Sequence, residues 1–195
     1  MVSIQDWSDL MTEWNHDILT SSLRKYVNKR LLKRGWLGRA GASEQQLANL
    51  ERRLAHSLPP SYRSFLGFTN GWAGFLDHAI QRLWSTYAVR LFAQCDLYNV
   101  EMWQSYDAIG KPITDEEYLV YHTVDQPFRA SYLKSAVMIS DLGDLNIILL
   151  NPEVVNSDGE WEAWYFVDIG PERRYPSFWD LMQQRHEQFV TLEKQ

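Results

Sequence analysis

The stretch Ser43–Gly71, SEQQLANLERRLAHSLPPSYRSFLGFTNG, constrains this chain more than any other, because it spells two consecutive helices with their own start and stop signals. Ser43 and Gln46 have capping-box spacing, so each satisfies a backbone N–H at the free end of a helix. Leu47, Leu50 and Leu54 then recur at i, i+3 and i+7, one apolar face of a 3.6-residue period. Pro59-Pro60 closes this helix after Leu58 and opens a second, since proline in a first helical turn gives up no needed hydrogen bond. Tyr62, Phe65, Leu66 and Phe68 form the buried side of that second helix, and Asn70-Gly71 supplies a left-handed residue to end it. Neither helix carries a catalytic motif.

The rest of the chain reads as an α+β order. Trp7, Leu10, Met11, Trp14 and Ile18 lie on one face of a helix over residues 6 to 20. Gly35, Gly38 and Gly41 mark a loop into the Ser43 helix, with Trp36 placed to plug the core's edge. Between Ala73 and Ala108 the pattern weakens, with Val89, Phe92, Leu97, Val100 and Trp103 compatible with one helical face. Tyr118 to His122, Ala136 to Ser140, Asn146 to Leu150 and Trp161 to Val167 read as strands. The second and third of these join at Asp141-Leu142-Gly143-Asp144, and the last follows the turn Asn156-Ser157-Asp158-Gly159. Ser177 and Asp180 open a final helix whose apolar positions are Phe178, Leu181, Met182, Phe189 and Leu192. Helices at both chain ends are expected on one face of a largely antiparallel sheet.

Three segments in order, GWLGRAGASEQQLANLERRL, LPPSYRSFL with NGW, and LLNPEVVNSDGEWEAWYFVDIGPERRYPSFWDLM, resemble the SUKH superfamily, its bacterial branch in particular. That superfamily joins fungal cell-wall-assembly regulators to bacterial toxin-immunity proteins. The resemblance implies one SUKH-like domain over 1–195, with 1–42 as an N-terminal helix and basic connector and 43–195 as the family core. It also implies protein binding rather than catalysis. The expected role is an immunity protein that neutralises a cognate toxin, such as a nuclease, by covering it. A regulatory scaffold or small-ligand sensor of the same fold is the alternative.

Charge sharpens the expected partner. Residues 1–60 carry nine Lys or Arg against six Asp or Glu, and residues 61–195 carry ten against nineteen. The basic share sits in Arg24, Lys25, Lys29, Arg30, Lys33, Arg34 and Arg39, which reads as a solvated helix face rather than a nucleic-acid groove, since only Tyr26 interleaves it. The acidic body suits a basic partner, such as a toxin domain built to hold phosphate. The expected contact residues are Trp72, Asp77, Asp141, Asp144, Glu160 and Glu162, with neither nucleic acid nor membrane as a partner. The nine tryptophans are expected mostly in the core, with some available as interface anchors.

The search for chemistry returns few candidates. The chain has no glycine-rich phosphate loop, serine nucleophile elbow or His-Glu-x-x-His. His16, His56, His78, His122 and His186 stand singly, none with a second histidine or a cysteine three or four residues on, so neither metal nor cofactor is expected. Asp141 and Asp144 fall short of a calcium set. Asp115-Glu116-Glu117 reads as a solvated turn, because consecutive carboxylates point apart. Cys95, the one cysteine, is expected buried or half-buried and unreactive, and its solitude excludes an intrachain disulfide. No apolar run approaches the ~18 residues of a membrane span, and the acidic N-terminus is unlike a secretory signal, so a cytoplasmic protein is expected.

Overall fold

A computed structural model describes residues 2–74, 82–107, 111–121, 126–142, 146–167 and 173–193. The helices are α1 (Ile4–Thr20), α2 (Lys29–Arg34), α3 (Glu44–Leu54), α4 (Pro60–Phe68), α5 (Leu97–Asp107), α6 (Asp115–Tyr118) and α7 (Phe178–Leu192). The strands are β1 (Arg90–Leu91), β2 (Val137–Met138), β3 (Asn146–Val155), β4 (Trp161–Val167) and β5 (Arg173–Tyr175). They form one antiparallel sheet in the order β1-β2-β3-β4-β5, an α+β arrangement.

The caps legible in the sequence are in place. Ser43 and Gln46 close a capping box on α3, and Ser3 with Asp6 closes another on α1, two residues earlier than the apolar period alone indicates. Leu47, Leu50 and Leu54 are buried, and each removes enough apolar surface from water to stabilise the fold by about 1.5–3 kcal/mol. Pro60 is the first residue of α4, but α3 stops at Leu54, before the prolines. Ala55 takes a left-handed conformation (φ 58°), and the His56 N–H donates back to the Glu51 carbonyl, the longer bond of a Schellman stop. Helix α4 ends on an extended Thr69, with Gly71 (φ 97°) beyond it. Gly41 answers a different need: a Cβ there would lie 1.9 Å from the Gly67 carbonyl oxygen at the end of α4.

The sheet is covered on both faces. On one, Ile148, Leu150, Trp161, Ala163 and Tyr165 pack with α1, α3, α4 and α7, as expected for helices from both chain ends. On the other, Ile147, Leu149, Trp164 and Phe166 pack against Phe92, Val100, Ala130 and Leu133. The period of two along β4 thus sorts an almost wholly apolar strand between two cores. Arg24 donates to the Leu19 carbonyl at the end of α1, and Arg34 donates to the carbonyls of Trp36 and Gly38. The exposed basic segment therefore also satisfies backbone acceptors in the last turn of α1 and just beyond α2.

The structure corrects several expectations. Tyr118 ends the single-turn helix α6 rather than starting a strand, because Thr114 and Glu117 form a capping box; His122 lies outside the described residues. Residues 89–103 are split into β1, a 3₁₀ turn at Phe92–Gln94 and α5, since Arg90 and Leu91 pair with β2. Cys95 is exposed, at the edge of that turn. Leu192, expected on the buried stripe of α7, is 51 % exposed, whereas Arg185 and His186 of the same helix are buried.

Candidate functional site

The expected contact residues do not form one exposed surface. Asp77 and Asp144 lie outside the described residues. Trp72 is buried, not presented to a partner: its backbone pairs with Gly38 and Leu83, and Trp36 meets its ring edge-on at 5.2 Å. Each of the nine tryptophans is buried or half-buried, so none stands out from the surface as an anchor. Asp141 is partly exposed but engaged, accepting from the Arg82 backbone N–H and from its Nε, both at 2.9 Å.

Glu160 is buried and caps a helix. Pro59 precedes α4 and offers no side-chain oxygen, so the Glu160 carboxylate accepts instead from the Ser61 N–H at 2.8 Å and its hydroxyl at 2.6 Å. The turn Asn156–Gly159 delivers it, with the Asn156 side chain accepting from the N–H groups of Asp158 and Glu160 and Gly159 at φ 78°. Burial pushes the Glu160 carboxyl above its ordinary value of 4.5, outweighing the Ser61 bonds that pull it down. The folded protein then holds the proton to higher pH than the unfolded chain. This group's contribution to stability falls as pH rises from about 4.5. Glu160→Ala is expected to cost about 1–2 kcal/mol through the lost cap. Glu160→Gln keeps an acceptor, and melting temperatures should show its gap to wild type moving in the variant's favour between pH 4.5 and 7.

Glu162 lies in the second core, and its neighbours define the site. It faces Asn151 across β3 and β4, and its Oε2 accepts from Asn151 Nδ2, the Tyr118 hydroxyl and Trp164 Nε1 at 2.6–2.9 Å. Its Oε1 meets Arg174 Nη1 at 2.5 Å, and both side chains are fully buried. Arg174, held on β5, also donates to the carbonyls of Tyr118 and Val120 and lies over the Tyr118 ring at 3.9 Å. Burial, with the Glu162 charge adding to it, raises the Tyr118 hydroxyl far above its ordinary range, so it stays a donor.

The ion pair therefore holds a surface element from beneath. A second guanidinium, Arg129, accounts for the other side of the element: it lies 4.7 Å from the Tyr118 ring, donates to the Ile113 carbonyl and pairs with Asp115 at 2.8 Å. Between these anchors Asp115, Glu116 and Glu117 are exposed, and next to them Leu119 is 53 % and Val120 46 % exposed. The result is an acidic and apolar knob on a fixed base. The sequence alone places Glu162 on the surface, where the structure buries it, and reads Asp115–Glu117 as a solvated turn, which is where they lie, exposed in the single turn of α6. One signal was present: Glu162 is the single charge in the strand WEAWYFV, and a carboxylate inside an apolar strand needs a buried cation.

For catalysis the described residues offer little. Although Cys95 is exposed, partial desolvation of its thiol raises it more than nearby Arg90 lowers it, so it lacks the thiolate character of a nucleophile. No helix among the described residues is long and apolar enough to cross a membrane.

No protein of curated function matches the chain. The sequence model of the SMI1 / KNR4 family (SUKH-1) matches residues 41–184, a span that contains α3, α4, all five strands and the Glu162–Arg174 pair. With the match running through that framework and most of the sequence, the chain belongs to the SMI1 / KNR4 family (SUKH-1).

Proposed function

We infer that this chain is a non-catalytic immunity protein that binds a basic toxin domain directly, with the knob Asp115–Val120 at the centre of the contact. The observation that carries the reading is the pairing of three exposed carboxylates with two exposed aliphatic side chains on an element that cannot easily yield. Carboxylates steer a basic partner and suppress wrong ones, and Leu119 and Val120 supply apolar area to bury once contact is made. Tyr118, Arg129 and Arg174 fix the element before binding, so less ordering entropy opposes the complex. Covering a toxin's substrate groove needs no chemistry from the inhibitor, in keeping with the family.

Glu116→Lys with Leu119→Asp tests this on a folded protein, since both side chains are exposed. The expected result is at least a tenfold loss of affinity for a basic toxin domain encoded by a neighbouring gene, with most of the charge effect in the association rate and weakened by salt, together with a loss of inhibition. Unchanged affinity in the double variant removes the knob from the contact, and failure of wild type to bind or inhibit that neighbour removes the immunity role.

A small-ligand sensor of the same fold finds less support. Four cavities among the described residues, of about 210 to about 450 Å³, are grooves open to solvent rather than enclosed apolar pockets.

A further inference from the structure

The two helices that pack the chain's ends together meet in a group of ligating side chains. Glu13 and Asp17 are one turn apart on α1, on the same face of the helix. His186 on α7 reaches toward them, its Nε2 lying 2.7 Å from Asp17 Oδ2. One ligating atom from each of the three falls within 4.8 Å of the others. His186 is buried and its ring lies against Trp14 at 5.1 Å, which fixes the direction of its nitrogen. Asp17 also borders an open groove of about 400 Å³ whose rim includes Thr20, Ser22 and Glu193, leaving room for water on a fourth position. Glu13, Asp17 and His186 all lie outside the family-matched residues 41–184, so the arrangement joins a helix before the matched span to the part of α7 that runs beyond it.

We propose that Glu13, Asp17 and His186 bind one divalent transition-metal ion of the zinc class, which ties α1 to α7. One imidazole and two carboxylates on three fixed positions are a donor set that such an ion accepts, with water completing a tetrahedron. Ligand bonds of about 2.0–2.2 Å put tetrahedral donors about 3.4 Å apart. Asp17 therefore has to draw back from His186 by less than 1 Å from their present 2.7 Å separation, about 0.7 Å, and Glu13, which is exposed, is able to swing in. The ion replaces a hydrogen bond with bonds to both helices and neutralises two adjacent carboxylates. Only the fold brings these residues together: 169 positions separate Asp17 from His186, which is why spacing along the sequence does not show them.

Titrating the metal-stripped full chain with Zn²⁺ by calorimetry tests the site. The expected result is one ion per chain with saturable binding, and a melting temperature raised by about 5–10 °C at a hundredfold excess over Kd. Glu13→Gln, an exposed change, and Asp17→Asn, which keeps an acceptor for His186, should each weaken binding at least about tenfold. Both should melt near wild type in chelator. Co²⁺ in place of Zn²⁺ should give the visible absorption of tetrahedral coordination, absent in Glu13→Gln. Non-saturating heat, binding that survives both substitutions, or binding lost instead in His16→Gln means an adventitious surface ion only and overturns the proposal.

Discussion

Glu162→Gln is expected to destabilise the protein by about 3–5 kcal/mol, because it leaves the Arg174 guanidinium fully buried without its anion. Arginine cannot shed its proton to escape that position. Its remaining acceptors are the neutral carbonyls of Tyr118 and Val120. At this chain length the loss corresponds to a fall in melting temperature of roughly 10 °C. Removing both charges with apolar residues, Glu162→Leu with Arg174→Met, should recover only part of it, because the desolvation of two ions disappears together with their attraction while the Asn151, Tyr118 and Trp164 donors lose their acceptor. The double variant also separates support from stability. It folds, yet its Tyr118 hydroxyl has lost its carboxylate and the Tyr118 and Val120 carbonyls their cation, so partner affinity should stay well below wild type. Urea unfolding of wild type, Glu162→Leu, Arg174→Met and the double variant, with affinity measured on those that fold, checks both halves. Additive single-variant losses would contradict the coupling.

Trp7→Ala should cost a further about 3–5 kcal/mol at an independent place, as expected for an indole removed from a packed core. Trp7 is fully buried, with its ring 4.7 Å from Trp179, 5.1 Å from Phe65 and 5.4 Å from Phe178. Its Nε1 donates to the Ser61 carbonyl and the Ser64 hydroxyl at 3.0 Å, tying α1 to the first turns of α4. The residue thus fastens a helix that lies before the family-matched span to two helices within or overlapping it. A lower urea midpoint at unchanged slope would show this as lost stability of one cooperative unit. A loss under 1 kcal/mol would mean that α1 is a dispensable appendage.

What the sequence discloses and what it withholds follow from the range of the interactions. The capping box at Ser43, the leucine stripe of α3, the proline start of α4 and strand β4 are local patterns with a fixed period, and each is found where it is read. The layer between Phe92 and Leu133 was obscure for a physical reason. Helix α5 has apolar residues spread round its circumference, with Val100 buried but Leu97 and Tyr98 exposed, so no stripe marks it. Strand β1 has two residues and exists through pairing with β2, a contact 46 or more positions away. The candidate site fails to show for the same reason. Glu162 gains its partners from Tyr118 and Arg174, and the cap from Glu160 to Ser61 joins residues 99 positions apart. Charge alone placed these glutamates on the surface, where most carboxylates sit; burial with partners from distant segments is what reverses that expectation.

The proposed partner-binding surface is the knob from Asp115 to Val120, held by the buried pair beneath it. Hydrogen exchange on the chain alone and in complex with a basic toxin domain that it inhibits tests this directly. Strong slowing is expected at residues 114–120 on complex formation, with little change along α1. Slowing confined to other surfaces, with the 114–120 amides exchanging as in the free protein, would contradict it.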